Sequence, residues 1–213
     1  LDLSGKNDLT AMCAAFDSLD MEGGLDVFVW YWTPDDTLRE REDRDRAPYV
    51  QWRDAGYLIG VPGKSIGYEW VAHEIGDAVE EYQVAELAFD RYRITDLERE
   101  LDQIDIDHHA EDEPHGYGMV MIPFGQGFVS MGPAVDELET RVLNGTIRIA
   151  NNPATTMCSA NAVLETDPAG NRKFSKRRSS GRIDGIVAIA MAVKRAAALA
   201  PESSSGTVYD SEQ

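Results

Sequence analysis

The sequence predicts an α/β fold, and three observations predict it. Apolar runs of strand length recur along the 213 residues. One of them, Val84 to Asp90, passes directly into a segment of helical periodicity that opens with Arg91-Tyr-Arg-Ile94. The last apolar segment repeats at helical spacing instead, with Ile183, Ile186, Val187, Ala190 and Val193 on one face.

In chain order, Leu1-Asp-Leu-Ser4 reads as a strand end (1–4), Gly5 as a turn, and the run from Leu9 to Phe16 as a second strand (9–17), a hairpin-like start. A third strand is expected at 25–32. The segment from Asp35 to Arg46 alternates charge at helical spacing and predicts an exposed helix over 36–46, separated from the next element by Pro48 with Tyr49 and Trp52. A strand at 57–61, a loop and a helix at 67–82 come next, the helix carrying His73. The strand 84–90 and helix 94–104 lead into a strongly acidic turn region, Asp102 to Glu113, with His108 and His109. Adjacent loop histidines point apart more often than they chelate, so this pair is weak evidence for a metal. His115 belongs to a turn before the strand 117–122. Gly125-Gln-Gly-Phe128 reads as a loop before the helix 130–144, with Gln126 placed either to touch a phosphate or simply to turn. A strand at 147–150 and a helix at 153–161 continue the series. A stem-like pattern from Ala162 to Phe174 around Asp167-Pro-Ala-Gly170 predicts an added hairpin, and the final helix covers 183–199. One domain over residues 1–200 is expected, with a polar tail over 201–213 that has no core-forming residues.

Three aspartates carry the chemistry. Asp2 lies on the first strand, Asp90 closes the strand 84–90, and Asp184 sits in the first turn of the last helix, each against apolar neighbours. A carboxylate in such a setting is costly unless it meets donors or a cation. Singly, Asp2 fits a turn residue, Asp90 a helix N-cap and Asp184 an acid placed for the helix dipole. Together they fit a site for hard divalent cations, because Mg²⁺ and Mn²⁺ prefer carboxylate and water oxygens. A pair of such ions about 3.5–4 Å apart suits phosphodiester hydrolysis, one activating water and the other stabilising the leaving oxygen.

The formal net charge of −18 argues against nucleic-acid binding at first sight. Phosphates respond to local potential, however, and the stretch from Arg172 to Arg182 places Lys173, Lys176, Arg177, Arg178 and Arg182 immediately before Asp184. With the hairpin stem, this stretch is expected to grip DNA through its phosphates, with little base specificity. Cys13 and Cys158 lack metal-ligand spacing and sit among apolar or small residues, which predicts reduced core thiols. No apolar run approaches the roughly 18 residues of a membrane span.

In order along the chain, Leu1-Asp-Leu-Ser…Asp8-Leu-Thr-Ala11, Ala88-Phe-Asp-Arg-Tyr92, Gly125-Gln-Gly-Phe128 with Met131, Asn151-Asn-Pro153, Asn161-Ala-Val163 and Lys176…Arg182-Ile-Asp-Gly-Ile-Val-Ala-Ile-Ala-Met191 resemble the C-terminal nuclease domain of tailed-bacteriophage large terminase subunits. The resemblance covers roughly residues 1–198; its specificity lies in the order and spacing of the motifs. It implies a ribonuclease-H-like fold, a central mixed sheet flanked by helices, with an acidic two-metal centre (Mg²⁺ or Mn²⁺) that cuts double-stranded DNA during viral genome packaging, in the cytoplasm of the infected bacterial host. Asp2, Asp90 and Asp184 match the family's ligands, and Asp8 matches an additional acid of some members. The implied partners are double-stranded DNA, an ATPase motor domain absent from this chain, the small terminase subunit and the portal, with no membrane.

One departure is that Gly60-Val-Pro-Gly-Lys-Ser65 does not complete a phosphate loop. The glycine required at position 58 is Leu58, and Pro62 removes a backbone donor, so ATP hydrolysis is not expected of this chain. Two other readings compete with the packaging nuclease. Another ribonuclease-H-like enzyme, a junction resolvase or a hybrid cutter, would share the metal chemistry. A docking module without activity would use its acidic surface to bind packaging proteins.

Overall fold

The computed structural model describes residues 1–3, 9–90, 94–113 and 116–199. Asp8, Arg91 to Arg93, His115 and the tail 201–213 lie outside the described residues.

β1 (Thr10–Asp17) and β2 (Leu25–Pro34) form an antiparallel hairpin in unbroken register from Thr10↔Trp32 to Asp17↔Leu25. The far edge of β2 is shared by two parallel strands, β7 (Ile147–Ile149) beside Leu25–Val27 and β3 (Ile59–Val61) beside Trp32–Pro34. A second, all-parallel group has the order β4 (Glu86–Phe89), β6 (Met119–Pro123), β5 (His108–Ala110). The segment Leu1–Leu3 stitches the two groups together. Asp2 bridges antiparallel to Ala11, the Leu1 nitrogen donates to the Ala88 carbonyl at 2.7 Å, and the Asp90 amide donates to the Leu1 carbonyl at 3.3 Å. The result is a single mixed sheet with Leu1–Leu3 near its middle.

Side chains alternate across a strand, and that alternation divides the core in two. On one face Ala11, Cys13, Val27, Tyr31, Ala88 and Ile122 pack against α5 (Phe128–Asn144), α6 (Pro153–Asn161) and α7 (Asp184–Leu199). On the other, Leu1, Leu3, Met12, Trp32, Leu87, Phe89, Met119 and Met121 pack against α3 (Tyr68–Glu81) and α4 (Ile94–Gln103). Helices therefore cover both faces, and the mixed sheet flanked by helices expected from sequence is borne out. The added hairpin is present too, as β8 (Leu164–Thr166) paired antiparallel with β9 (Arg172–Phe174). Its turn is closed by Asp167, whose carboxylate accepts from the Ala169 and Asn171 amides at 2.9 and 2.8 Å, with Gly170 at φ +89°.

Three local expectations are revised. α1 (Leu38–Asp45) is not exposed all round: Leu38 and Arg41 are buried, and the Arg41 guanidinium donates to the Pro34 carbonyl at 3.2 Å. Charge alternation signalled the helix but concealed the side that packs. Tyr49–Asp54 forms a short helix, α2, beyond Pro48, where the proline signalled only a break. The acidic stretch after α4 contains β5, because pairing with Met119–Met121 outweighs the poor strand propensity of its surroundings. His109 follows His108 along this strand, so their side chains alternate between its faces.

Both cysteines are free and buried, and burial pushes each thiol up to about 12. In native protein at pH 8, neither Cys13 nor Cys158 should react with a thiol reagent on the minute timescale, whereas both should react in denaturant. Fast native labelling of either would contradict this packing.

Candidate metal centre and its basic flank

The strand alternation decides where the acids point. Leu1 and Leu3 enter the α3/α4 core, so Asp2 faces the opposite side, toward α7. The hydrogen bonds that join Leu1 to Ala88 and Asp90 set Leu1 beside Phe89 in parallel register, and so set Asp2 beside Asp90. Phe89 also belongs to the α3/α4 core, which turns Asp90 to the same face as Asp2. Asp184 reaches this face from the first turn of α7, where the helix dipole favours a negative charge. Asp2 is 1% exposed and Asp184 5% exposed.

Lys176 and Gln126 meet these carboxylates. The Lys176 ammonium lies 3.0 Å from Oδ2 of Asp2 and 3.4 Å from Oδ1 of Asp184, bridging the two. The Gln126 amide donates to Oδ1 of Asp2 at 2.9 Å. Burial alone would lower the Lys176 pKa; the charges of Asp2 and Asp184 and their hydrogen bonds outweigh it and hold the ammonium at about 12. Among the described residues, no three carboxylate, imidazole or thiol groups are gathered into a cluster that could enclose a metal ion by themselves. The donor set still suits a hard cation. It offers carboxylate oxygens only, on a face shared by Asp2, Asp90 and Asp184, and two of the three already share one positive charge.

α7 can approach this closely because of Gly185. A Cβ there would fall 1.9 Å from the Tyr31 hydroxyl, on a fully buried ring whose oxygen is hydrogen-bonded to Thr155 at 2.8 Å. The helix is also tied to the second strand group through Arg195, whose Nη2 donates to Glu86 at 2.8 Å. Asn152 caps α6 by accepting from the Ala154 amide at 2.8 Å, with Pro153 at the first helical position. At the other end of α6, Asn161 donates to the Arg182 carbonyl at 3.2 Å and accepts from Ser180 at 3.0 Å, fixing the loop that enters α7.

The five basic residues singled out from sequence have different surroundings. Lys173 pairs with Glu165 across the hairpin at 3.0 Å and lies 4.8 Å from the centre of the Phe128 ring, stapling the hairpin to the start of α5. Its neighbour Arg172 holds Glu139 of α5 at 2.7 Å. Lys176 is on the acids, and Arg182 lies 3.4 Å from Asp45. Arg177 and Arg178 are solvent-exposed on the loop between hairpin and helix. Sequence reasoning placed Lys176 with the phosphate contacts and left Gln126 between a phosphate contact and a turn. Their contact with Asp2 spans 174 and 124 residues, and no local pattern encodes it.

Over residues 1–200 the chain matches the family model described as terminase large subunit, endonuclease domain. It is 44% identical over 193 residues to the large terminase subunit of Enterobacteria phage HK97, covering 91% of this chain and 36% of that protein. Protein YmfN of Escherichia coli strain K12 is 28% identical over 204 residues, covering 92% and 42%. The crystal structure of the HK97 large terminase superposes with a TM-score of 0.79 at 43% identity over 91% of this chain and 38% of that one. The large terminase nuclease of thermophilic phage G20c gives 0.53 at 13% identity, over 90% and 77%, a likeness of fold alone. These matches identify the mixed sheet and its helices as ribonuclease-H-like. The chain spans well under half the length of the two curated relatives.

Gly185→Ala should destabilise the fold by about 2 kcal/mol through overpacking against Tyr31, despite the better helix propensity of alanine. Denaturant unfolding would measure this, and Tyr31→Phe in the same chain should recover part of the loss. An unchanged midpoint in the single variant would show that α7 does not seat on Tyr31.

Proposed function

This chain belongs to the family of terminase large subunit endonuclease domains, and on that premise we propose that it cuts double-stranded DNA during viral genome packaging, with metal ions held by Asp2, Asp90 and Asp184. The observation that carries the reading is the convergence of Asp2 and Asp184, both buried, on one bridging cation, with Asp90 in register beside Asp2. Mg²⁺ or Mn²⁺ bound there would supply water activation and charge stabilisation at a phosphodiester. Asp8, which lies outside the described residues, would assist one ion.

The remaining work falls to the chain itself. Gln126 fixes the orientation of Asp2 by donating to one oxygen, which leaves the other facing Lys176. Arg177 and Arg178 project from the loop that enters α7 and would contact backbone phosphates, giving affinity with little sequence preference. Lys173 and Arg182 complete this phosphate-facing set and at the same time hold the hairpin and the loop in shape. Partners of the longer packaging protein, an ATPase motor, the small subunit and the portal, belong to the same reading, as does action in the cytoplasm of the infected bacterium. No helix among the described residues is long and apolar enough to cross a membrane.

Supercoiled plasmid incubated with this chain should be nicked and linearised in Mg²⁺ or Mn²⁺ and left intact with chelator, leaving 3′ hydroxyl ends. Asp90→Ala and Asp184→Ala should each lower cutting by at least about 100-fold while thermal unfolding remains cooperative. Equal cutting by folded Asp90→Ala would sink its assigned role. Branched DNA and RNA–DNA hybrids run alongside separate a packaging cutter from a junction resolvase or a hybrid cutter. Inactivity on every substrate and with every ion would favour a docking module.

A further inference from the structure

Lys176 is shared between two acids, and its attachment is lopsided. The base is fixed. Ser175, immediately before it, is buried, its amide donates to the Val163 carbonyl at 2.9 Å, and its hydroxyl donates to Glu165 at 2.9 Å. The Ser175 carbonyl in turn accepts from the amides of Arg178 and Ser179 at 3.1 and 3.0 Å and from the Ser179 hydroxyl at 2.8 Å. The tip is held differently. The side chain as a whole is 50% exposed, and its ammonium touches the buried carboxylates of Asp2 and Asp184. A four-carbon stem with a solvated flank can swing its head away without disturbing the turn beneath it.

Two carboxylates buried side by side need a positive charge between them whether or not a metal is present. We propose that Lys176 is a tethered stand-in for the metal: its ammonium neutralises Asp2 and Asp184 in the metal-free protein and must be displaced before a divalent cation can use both carboxylates. The inference rests on the metal-site reading above and adds a regulatory element to it. The ammonium preserves the arrangement of the acids without a metal and weakens the affinity of the site for one. The displaced head would emerge on the same loop as Arg177 and Arg178, so an approaching phosphate could hold it away and tighten metal binding by mass action.

The test compares the intact chain with Lys176→Gln, which keeps a donor and removes the charge, and with Lys176→Arg, which keeps the charge. Mn²⁺ binding would be followed by electron paramagnetic resonance, and unfolding by calorimetry with and without Mn²⁺, without DNA. Lys176→Gln should melt at least about 4 °C lower than the unchanged chain in chelator. It should bind Mn²⁺ at least about tenfold more tightly and gain more melting temperature from it. Lys176→Arg should stay within about threefold of the unchanged chain in Mn²⁺ affinity. If the unchanged chain binds Mn²⁺ and Lys176→Gln binds it no more tightly, the stand-in role is overturned while the metal site stands. If neither binds Mn²⁺, the metal-site reading falls and this inference with it. Failure of Lys176→Gln to fold even in excess Mn²⁺ would also overturn the inference, because the ion would then be unable to do the ammonium's work.

Discussion

Two carboxylates, Asp2 and Asp184, are buried at the junction of the central sheet and α7, and the rest of the arrangement depends on the charge that sits between them. The idealised cost of moving one such ion from water into a dry interior is about 20 kcal/mol, more than the whole net stability of a typical domain. The Lys176 ammonium on both acids and the Gln126 amide on Asp2 offset part of that cost. Their positions in turn dictate the surrounding architecture. The hairpin must return to the sheet so that Ser175 can deliver Lys176, and the loop ahead of α5 must come to the Leu1–Leu3 segment so that Gln126 reaches Asp2.

The geometry of the acids arises from a few backbone relationships. Leu1–Leu3 joins two strand groups, and its two leucines commit to the α3/α4 core, which leaves Asp2 no direction except toward α7. Asp90 inherits its direction from the same register. Asp184 depends on how closely a helix can approach β2, a distance limited by the Tyr31 hydroxyl and permitted by the missing side chain at Gly185. The hairpin is held to α5 by Arg172 and Lys173, so the basic loop it supports has a fixed origin even though Arg177 and Arg178 face solvent.

Much of this was legible in the sequence, for definite reasons. Strand and helix periodicities located nearly all the elements, and the Asp167-Pro-Ala-Gly170 turn announced its hairpin because an aspartate that accepts from its own turn is a local signal. The three aspartates stood out because carboxylates within apolar runs are costly. Features set by distant pairing were not legible. β5 exists through its pairing with β6, inside a stretch whose composition reads as a turn. Arg41 disappears into the core because Pro34 offers it a carbonyl, and Lys176 looked like its basic neighbours until the fold set it between two acids. A sequence shows which residues are costly to bury, whereas the partner that offsets the cost is fixed only when the chain closes.

The contact between Tyr31 and Gly185 also limits how such a chain can diverge. The two positions are far apart in sequence yet occupy a single volume, since a Cβ at 185 would lie 1.9 Å from the hydroxyl at 31. Neither position can change freely while the other keeps its present residue. A side chain at 185 is accommodated with less strain once a smaller residue stands at 31, and that step would leave the Thr155 hydroxyl without its present partner. The order of replacements is therefore biased: a change at 31 that comes first relieves the strain of a later change at 185, and the reverse order carries that strain until the tyrosine yields.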